Sequence, residues 1–179
     1  MPARVEKFLP QRCKDSVMDD KETLINDLLP KAALQALTPE ALEAVPVSQL
    51  AGDAVAIRSF PFRVGRESRV RKVDGRIERT ERAKGRGGRP NNDLYLVDRG
   101  ELLNISREHF QIERVEGGYL LVDRGSACGT TVGEERVGSG DAGGQCLLRD
   151  GDVIAAGVRG TPFLFRFHAF DDYELRRRD

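Results

Sequence analysis

The chain has 179 residues, which is enough for one domain of ordinary size and an extension. Hydrophobic residues make up 39% and charged residues 32%, a composition typical of a folded globular protein and not of a disordered one. The formal net charge is zero, which argues against general attraction to nucleic acids or membranes, and no run approaches the ~18 apolar residues of a membrane span.

The N-terminus and the cysteines indicate where the protein acts. Residues 1–20 have no apolar core of the kind found in signal peptides, because prolines and charges interrupt them. The three cysteines, Cys13, Cys128 and Cys146, are odd in number and lack metal-ligand spacing. We therefore expect a reduced, cytoplasmic protein that holds no metal or other cofactor.

Residues 21–50 predict two or three short amphipathic helices. Apolar residues at positions 24, 25, 28 and 29 fall on one helical face, and alanines and leucines at 32–37 continue the pattern after Pro30. Thr38-Pro39-Glu40 is a helix-start signal, with a hydroxyl cap, a proline at the first helical position and a carboxylate in the first turn. We assign residues 1–52 to an N-terminal helical extension.

From Val55 the pattern becomes that of short β-strands. Apolar and polar residues alternate within these runs, and glycine-rich turns separate them at roughly ten-residue intervals. The predicted strands are 55–58, 60–64, 94–97, 110–115, 119–123 and 163–168. The pattern predicts an all-β sandwich over residues 53–170, followed by a charged tail at 171–179.

A basic segment interrupts these strands at residues 67–91. Nine basic and four acidic residues give it a charge of +5, and it contains four glycines, one proline and few apolar residues. Such a segment buries too little apolar surface to offset its ordering entropy, so we expect a long mobile loop inserted between two strands.

Four motifs follow strand-like runs, where loops project from a β scaffold. Arginine carries a planar fork of donors suited to phosphate oxygens, and a serine beside a basic residue adds a hydroxyl donor. Together such groups can hold a dianion. The motifs are Val64-Gly65-Arg66-Glu67, Ile105-Ser106-Arg107-Glu108-His109, the run from Asp123 to Thr130, and the run from Leu148 to Ile154.

The set and its order resemble the forkhead-associated (FHA) domain, a β-sandwich module that reads phosphothreonine. The resemblance implies that Arg66, Ser106 and Arg107 contact the phosphate. It also implies that His109 is a buried support, and that three further residues shape the loops with it: Gly65, Gly129 and Thr130. The fourth motif, with its two aspartates and a glycine, is predicted to close a hairpin.

The third motif departs from the family at one position. The family's run reads Asp-x-x-Ser-x-Asn-Gly-Thr, and Cys128 occupies the place of the asparagine that bonds the main chain of the bound peptide. A later asparagine of the family is replaced by Gly133. Cysteine is a weak donor and a weak acceptor, so this phosphopeptide contact should be reduced or lost, at a cost of about 0.5–1.5 kcal/mol.

The motifs argue against catalysis and against calcium binding. Ser106 and His109 lack an acidic partner and a nucleophile elbow, so we expect no enzyme and no catalytic residue. Asp150 and Asp152 have no further ligands at calcium-binding spacing.

The preferred function is non-catalytic binding of a threonine-phosphorylated protein in Ser/Thr kinase signalling, the partner being a kinase or its substrate. One alternative is a degenerate FHA domain that acts as a phospho-independent scaffold, which Cys128 and the helical extension favour. A second alternative is nucleic-acid attachment through the basic insertion, which lacks any aromatic residue for base stacking.

Overall fold

The computed structural model describes residue 21 and residues 23–68, 70–73, 76–79, 91–100, 102–139 and 144–173. All structural statements below concern these residues. In this part of the chain, no helix has both the length and the apolar character required to cross a membrane.

The elements are mainly short strands, and residues 39–44 form an α-helix. Residues 23–28 are also helical. In chain order the elements are β1 (Ala32–Ala36), α1 (Pro39–Ala44), a 3-10 turn (Val47–Gln49), β2 (Leu50–Ala51), β3 (Ala54–Ile57), β4 (Phe62–Arg66), β5 (Val70–Val73), β6 (Arg76–Arg79), β7 (Leu94–Leu96), β8 (Phe110–Val115), β9 (Gly118–Asp123), β10 (Thr130–Val132), β11 (Glu135–Val137), β12 (Gln145–Leu148), β13 (Val153–Ala156) and β14 (Leu164–Ala169).

Two large sheets form the sandwich, which confirms the all-β prediction. The first has the strand order β11-β10-β13-β14-β1-β3-β2, and the second has the order β12-β9-β8-β4-β7. The pairs are antiparallel, apart from the parallel pair of β4 and β7.

The core lies between the sheets and follows the alternation of the sequence. In β14, Phe165 and Phe167 are fully buried, whereas Arg166 between them is exposed. In β8, Phe110 and Ile112 are likewise fully buried. Burial of each such side chain is worth about 1.5–3 kcal/mol, so the period of two determines which face of each strand turns inward.

The predicted helix over residues 32–37 is wrong, because residues 32–36 form β1. This strand lies between β14 and β3, and Leu34 stands opposite both Phe167 and Val55. Pairing on both sides and burial of Leu34 override the helical preference of the alanines. The first sheet therefore begins at Ala32, inside the segment that the sequence assigns to a separate extension.

The helix start at Thr38 is confirmed. The Thr38 Oγ1 accepts the N–H of Ala41 at 3.2 Å, and Pro39 occupies the first turn of α1. Ala41 and Ala44 are the buried side of this helix.

The prediction that residues 67–91 form one long mobile loop is wrong for the part of the insertion that forms strands. Strands β5 and β6 pair with each other in an antiparallel hairpin that forms a third, two-stranded sheet. Asp74-Gly75, a dipeptide common in tight hairpin turns, stands between them in the sequence. Residues 80–90 lie outside the described part of the chain.

The fourth motif also differs from its prediction. Residues 149–152 connect β12 in the second sheet to β13 in the first, so they join the two layers and do not close a hairpin. The Asp152 carboxylate accepts the N–H of Arg149 at 2.8 Å, and Gly151 has a positive φ of 84°.

Candidate functional site

The other three motifs meet at one end of the sandwich. Val64, near the end of β4, pairs with Phe110 at the start of β8, and Phe110 pairs with Asp123 at the end of β9. Thr130 begins β10 in the opposite sheet and pairs with Ala156 at the end of β13. The antiparallel order therefore places the connections β7–β8, β9–β10 and β13–β14 beside the end of β4.

Arg66 ends β4 and is held tightly by the next loop. Its N–H donates to Ser106 O at 2.9 Å, and its Nε donates to Ile105 O at 2.9 Å. Only 7% of Arg66 is exposed. Gly65 precedes it without room for a side chain, because a Cβ would overlap the carbonyl oxygen of Arg107.

Ser106 and Arg107 present polar groups at the surface. The Ser106 Oγ accepts the Ala127 N–H at 3.0 Å, which joins the second loop to the third. In the described part of the chain this hydroxyl proton has no acceptor, so it is available to a ligand. The Arg107 side chain is exposed, and no described carboxylate lies within ion-pair distance of it.

His109 is fully buried and supports two loops. Its Nδ1 accepts the Ser106 N–H at 2.9 Å, and its Nε2 lies 3.0 Å from Gly129 O. Because Nδ1 accepts, the neutral ring carries its proton on Nε2 and donates it to Gly129 O. Burial lowers the pKa of His109 from its ordinary value of 6.5, which keeps this neutral form.

The third loop is organised by Asp123 and Ser126. The Asp123 carboxylate accepts the N–H groups of Gly125 and Ser126 at 2.9 Å, and it also accepts the Ser126 hydroxyl. The Ser126 Oγ accepts the Gly129 N–H at 2.9 Å. Gly129 has a positive φ of 71°, a conformation that glycine adopts at little cost. Thr130 is fully buried, and its hydroxyl has no partner in the described part of the chain.

The sequence model of the FHA domain family matches residues 83–157. The chain contains an FHA domain. The matched range includes Ser106, Arg107, His109 and the third loop, whereas Gly65 and Arg66 precede it. No curated protein matches the chain.

Solved FHA-domain structures are similar at low identity. The FHA domain of CT664 from Chlamydia trachomatis is 19% identical, over 80% of this chain and 98% of that one, with a TM-score of 0.43. An Arabidopsis thaliana FHA domain is 20% identical, over 79% and 86%, with a TM-score of 0.44. Mycobacterium tuberculosis EmbR, in complex with a low-affinity phosphopeptide, is 18% identical over 89% of this chain, with a TM-score of 0.42. This chain spans only 31% of the EmbR chain.

Cys128 stands where the FHA pattern has asparagine, and its thiol turns toward the protein. The Sγ lies 3.6 Å from Leu103 O, a weak contact with the β7–β8 loop. The Cys128 carbonyl accepts a hydrogen bond of 2.9 Å from Arg136.

The sequence does not predict the buried residues that support the loops of this FHA domain by hydrogen bonds. Asn92 is buried, donates to Arg107 O at 2.8 Å and accepts from Arg124 at 2.6 Å. Asp98 is buried and accepts the N–H groups of Asn104 and Ile105. In the sequence both residues look like ordinary turn residues, and only their burial reveals their function.

Proposed function

We propose that this chain binds a threonine-phosphorylated protein through Arg66, Ser106 and Arg107, as a non-catalytic recognition module. FHA domains belong to the class of modules that recognise phosphorylated motifs with arginine clusters. The observation that carries the proposal is the state of Ser106: its oxygen is held by the Ala127 N–H, while its hydroxyl proton remains available beside the exposed Arg107.

The donors fit the ligand in number and charge. A phosphothreonine has three strong acceptor oxygens and about −1.5 to −2 charges at pH 7. The Ser106 hydroxyl supplies one donor, and the Arg107 guanidinium supplies a charged fork. Asn92 holds the backbone carbonyl of Arg107. Arg66 adds a second guanidinium fixed by Ile105 O. Its near-complete burial means that it would act at the base of the site.

The proposed ligand indicates the kind of pathway and the kind of partner. A phosphothreonine partner implies a Ser/Thr kinase upstream, and the partner is then the kinase itself or one of its substrates. The module needs no cofactor for this binding, and we place it in the cytoplasm because its cysteines are odd in number and lack metal-ligand spacing.

The test is a binding screen against a phosphothreonine peptide library with unphosphorylated controls, followed by fluorescence anisotropy on the best peptide. Arg107→Ala should weaken binding about 10- to 100-fold, because a hydrogen bond to a charged group contributes about 1.5–3 kcal/mol. Arg149→Ala is the matched control. Arg149 is also exposed, but it follows the end of β12 that lies away from the proposed site.

The outcomes separate the candidate functions. Equal binding of phosphorylated and unphosphorylated peptides would refute the proposal and favour a phospho-independent scaffold. A DNA or RNA complex that weakens steeply with salt, with no phosphopeptide binding, would instead assign the basic insertion to nucleic acid.

A further inference from the structure

Arg136 is an exposed arginine tied to the third loop of the site. It lies in β11, opposite Thr131 of β10, and one terminal nitrogen donates to Cys128 O at 2.9 Å. Cys128 is the position where the family's asparagine would bond the bound peptide. Arg136 therefore places a charged donor group directly beside Cys128, one of the two positions at which the sequence departs from the FHA pattern.

The Cys128 side chain does not supply the missing contact. Its Sγ turns toward Leu103 O, so the loop offers a ligand no amide at this point. A guanidinium has five N–H donors, and the bond to Cys128 O uses one of them. Arg136 thus retains donors for a ligand while its position is fixed by the loop.

Among the described residues, no ion pair neutralises the charge of Arg136. Glu134 and Glu135 are adjacent in the sequence and exposed, yet no described carboxylate lies within 4.0 Å of the Arg136 guanidinium. Glu135 instead lines a groove with Cys146 and Leu147 along β12. An exposed, anchored and unpaired arginine at a protein-binding end is suited to a carboxylate of the partner.

We propose that Arg136 is a specificity-determining residue that binds an acidic side chain near the phosphothreonine of the partner. This inference rests on the proposed function, and it narrows the partner to phosphothreonine segments that carry a nearby Asp or Glu. Arg136 supplies a charged contact in place of the hydrogen bond from the family's asparagine. The asparagine would bond the peptide main chain whatever its sequence, whereas Arg136 selects acidic residues.

The experiment uses pairs of phosphothreonine peptides that differ by Glu or Gln at one position, scanned through the positions that flank the phosphothreonine. Dissociation constants are measured for the wild-type chain, Arg136→Ala and Arg149→Ala. At one position the wild type should prefer Glu about fivefold, which corresponds to about 1 kcal/mol, as for an exposed ion pair of good geometry. Arg136→Ala should reduce this ratio to about one, whereas Arg149→Ala should preserve it.

The pairwise design distinguishes a contact from a structural effect. If Arg136→Ala weakens the Glu and Gln peptides equally, the residue only holds the Cys128 loop and the inference is overturned. An unchanged Glu preference in Arg136→Ala also overturns it, while phosphothreonine binding itself survives. If the wild type binds no phosphothreonine peptide, the proposed function fails and the inference fails with it. Arg136→Lys, which keeps the charge without the fork, should retain part of the Glu preference.

Discussion

His109 offers the most direct test of how the site is built, because one buried ring connects two loops. Replacing His109 with Ala removes the acceptor for the Ser106 N–H and the donor to Gly129 O. Each buried polar group left unsatisfied costs about 1–3 kcal/mol, so the two together cost about 2–6 kcal/mol. His109→Asn should cost about half as much, because its side-chain oxygen can replace Nδ1 but no donor reaches Gly129 O.

The assay is thermal and urea unfolding of the full chain. For a protein of this size, 1 kcal/mol shifts the melting temperature by about 2–4 °C. The matched control is His168→Asn, since His168 is half-exposed and its Nε2 contacts only the Gln35 side chain in the described region. This variant should change the free energy of unfolding by less than about 1 kcal/mol. If His109→Ala and His168→Asn cost the same, the bridge between the loops contributes no stability.

The same residue predicts a pH dependence of stability. Burial lowers the pKa of His109 below 6.5, so the unfolded chain binds the proton more readily than the folded chain. The contribution of the neutral His109 ring to the free energy of unfolding is fully present above pH 6.5. It is lost as the pH falls from 6.5 through the pKa of His109 in the folded chain. His109→Asn should remove this part of the pH profile, and a profile that remains identical in the variant would contradict the assignment.

Three further predictions concern the loop, the insertion and the first strand. Cys128→Asn should strengthen phosphothreonine-peptide binding by up to about tenfold in titration calorimetry, and unchanged affinity would mean that the peptide main chain does not pass this position. Replacing residues 69–90 with a short Gly-Ser turn should leave melting nearly unchanged, slow phosphopeptide association in stopped-flow measurements and weaken its salt dependence; equal rates would exclude electrostatic steering. Deleting residues 1–37 should abolish cooperative unfolding because β1 is lost, whereas deleting 1–20 leaves β1 in place; two similar melting curves would contradict the central position of this strand.

The strands that the sequence predicts well are those whose burial pattern is visible within the strand itself. Phe163, Phe165 and Phe167 alternate with polar or half-buried residues, and the structure buries all three. Residues 32–36 carry no such pattern, because alanine fits a helix or a strand. Their conformation is decided by β3 and β14, which are distant in the sequence.

The residues of the candidate site also differ in how well the sequence predicts them. Resemblance to a family predicts residues such as Ser106 and His109, whose types recur in short motifs. It does not predict Asn92 or Asp98, because their roles depend on burial behind the loops. Asn92 supports the Arg107 carbonyl only because the end of β4 and the β7–β8 loop bring them together.

The hydrogen bonds of the third loop hold it without the side chain at position 128. Ser126 donates to Asp123 and accepts the N–H of Gly129, and the His109 ring bonds the carbonyl oxygen of Gly129. None of these bonds involves the Cys128 side chain, so the residue at 128 changes what the loop offers to a ligand without changing how the loop is held. The residues that hold the third loop and the side chain at position 128 are therefore separate, so we expect that residue 128 can be substituted without loss of the fold.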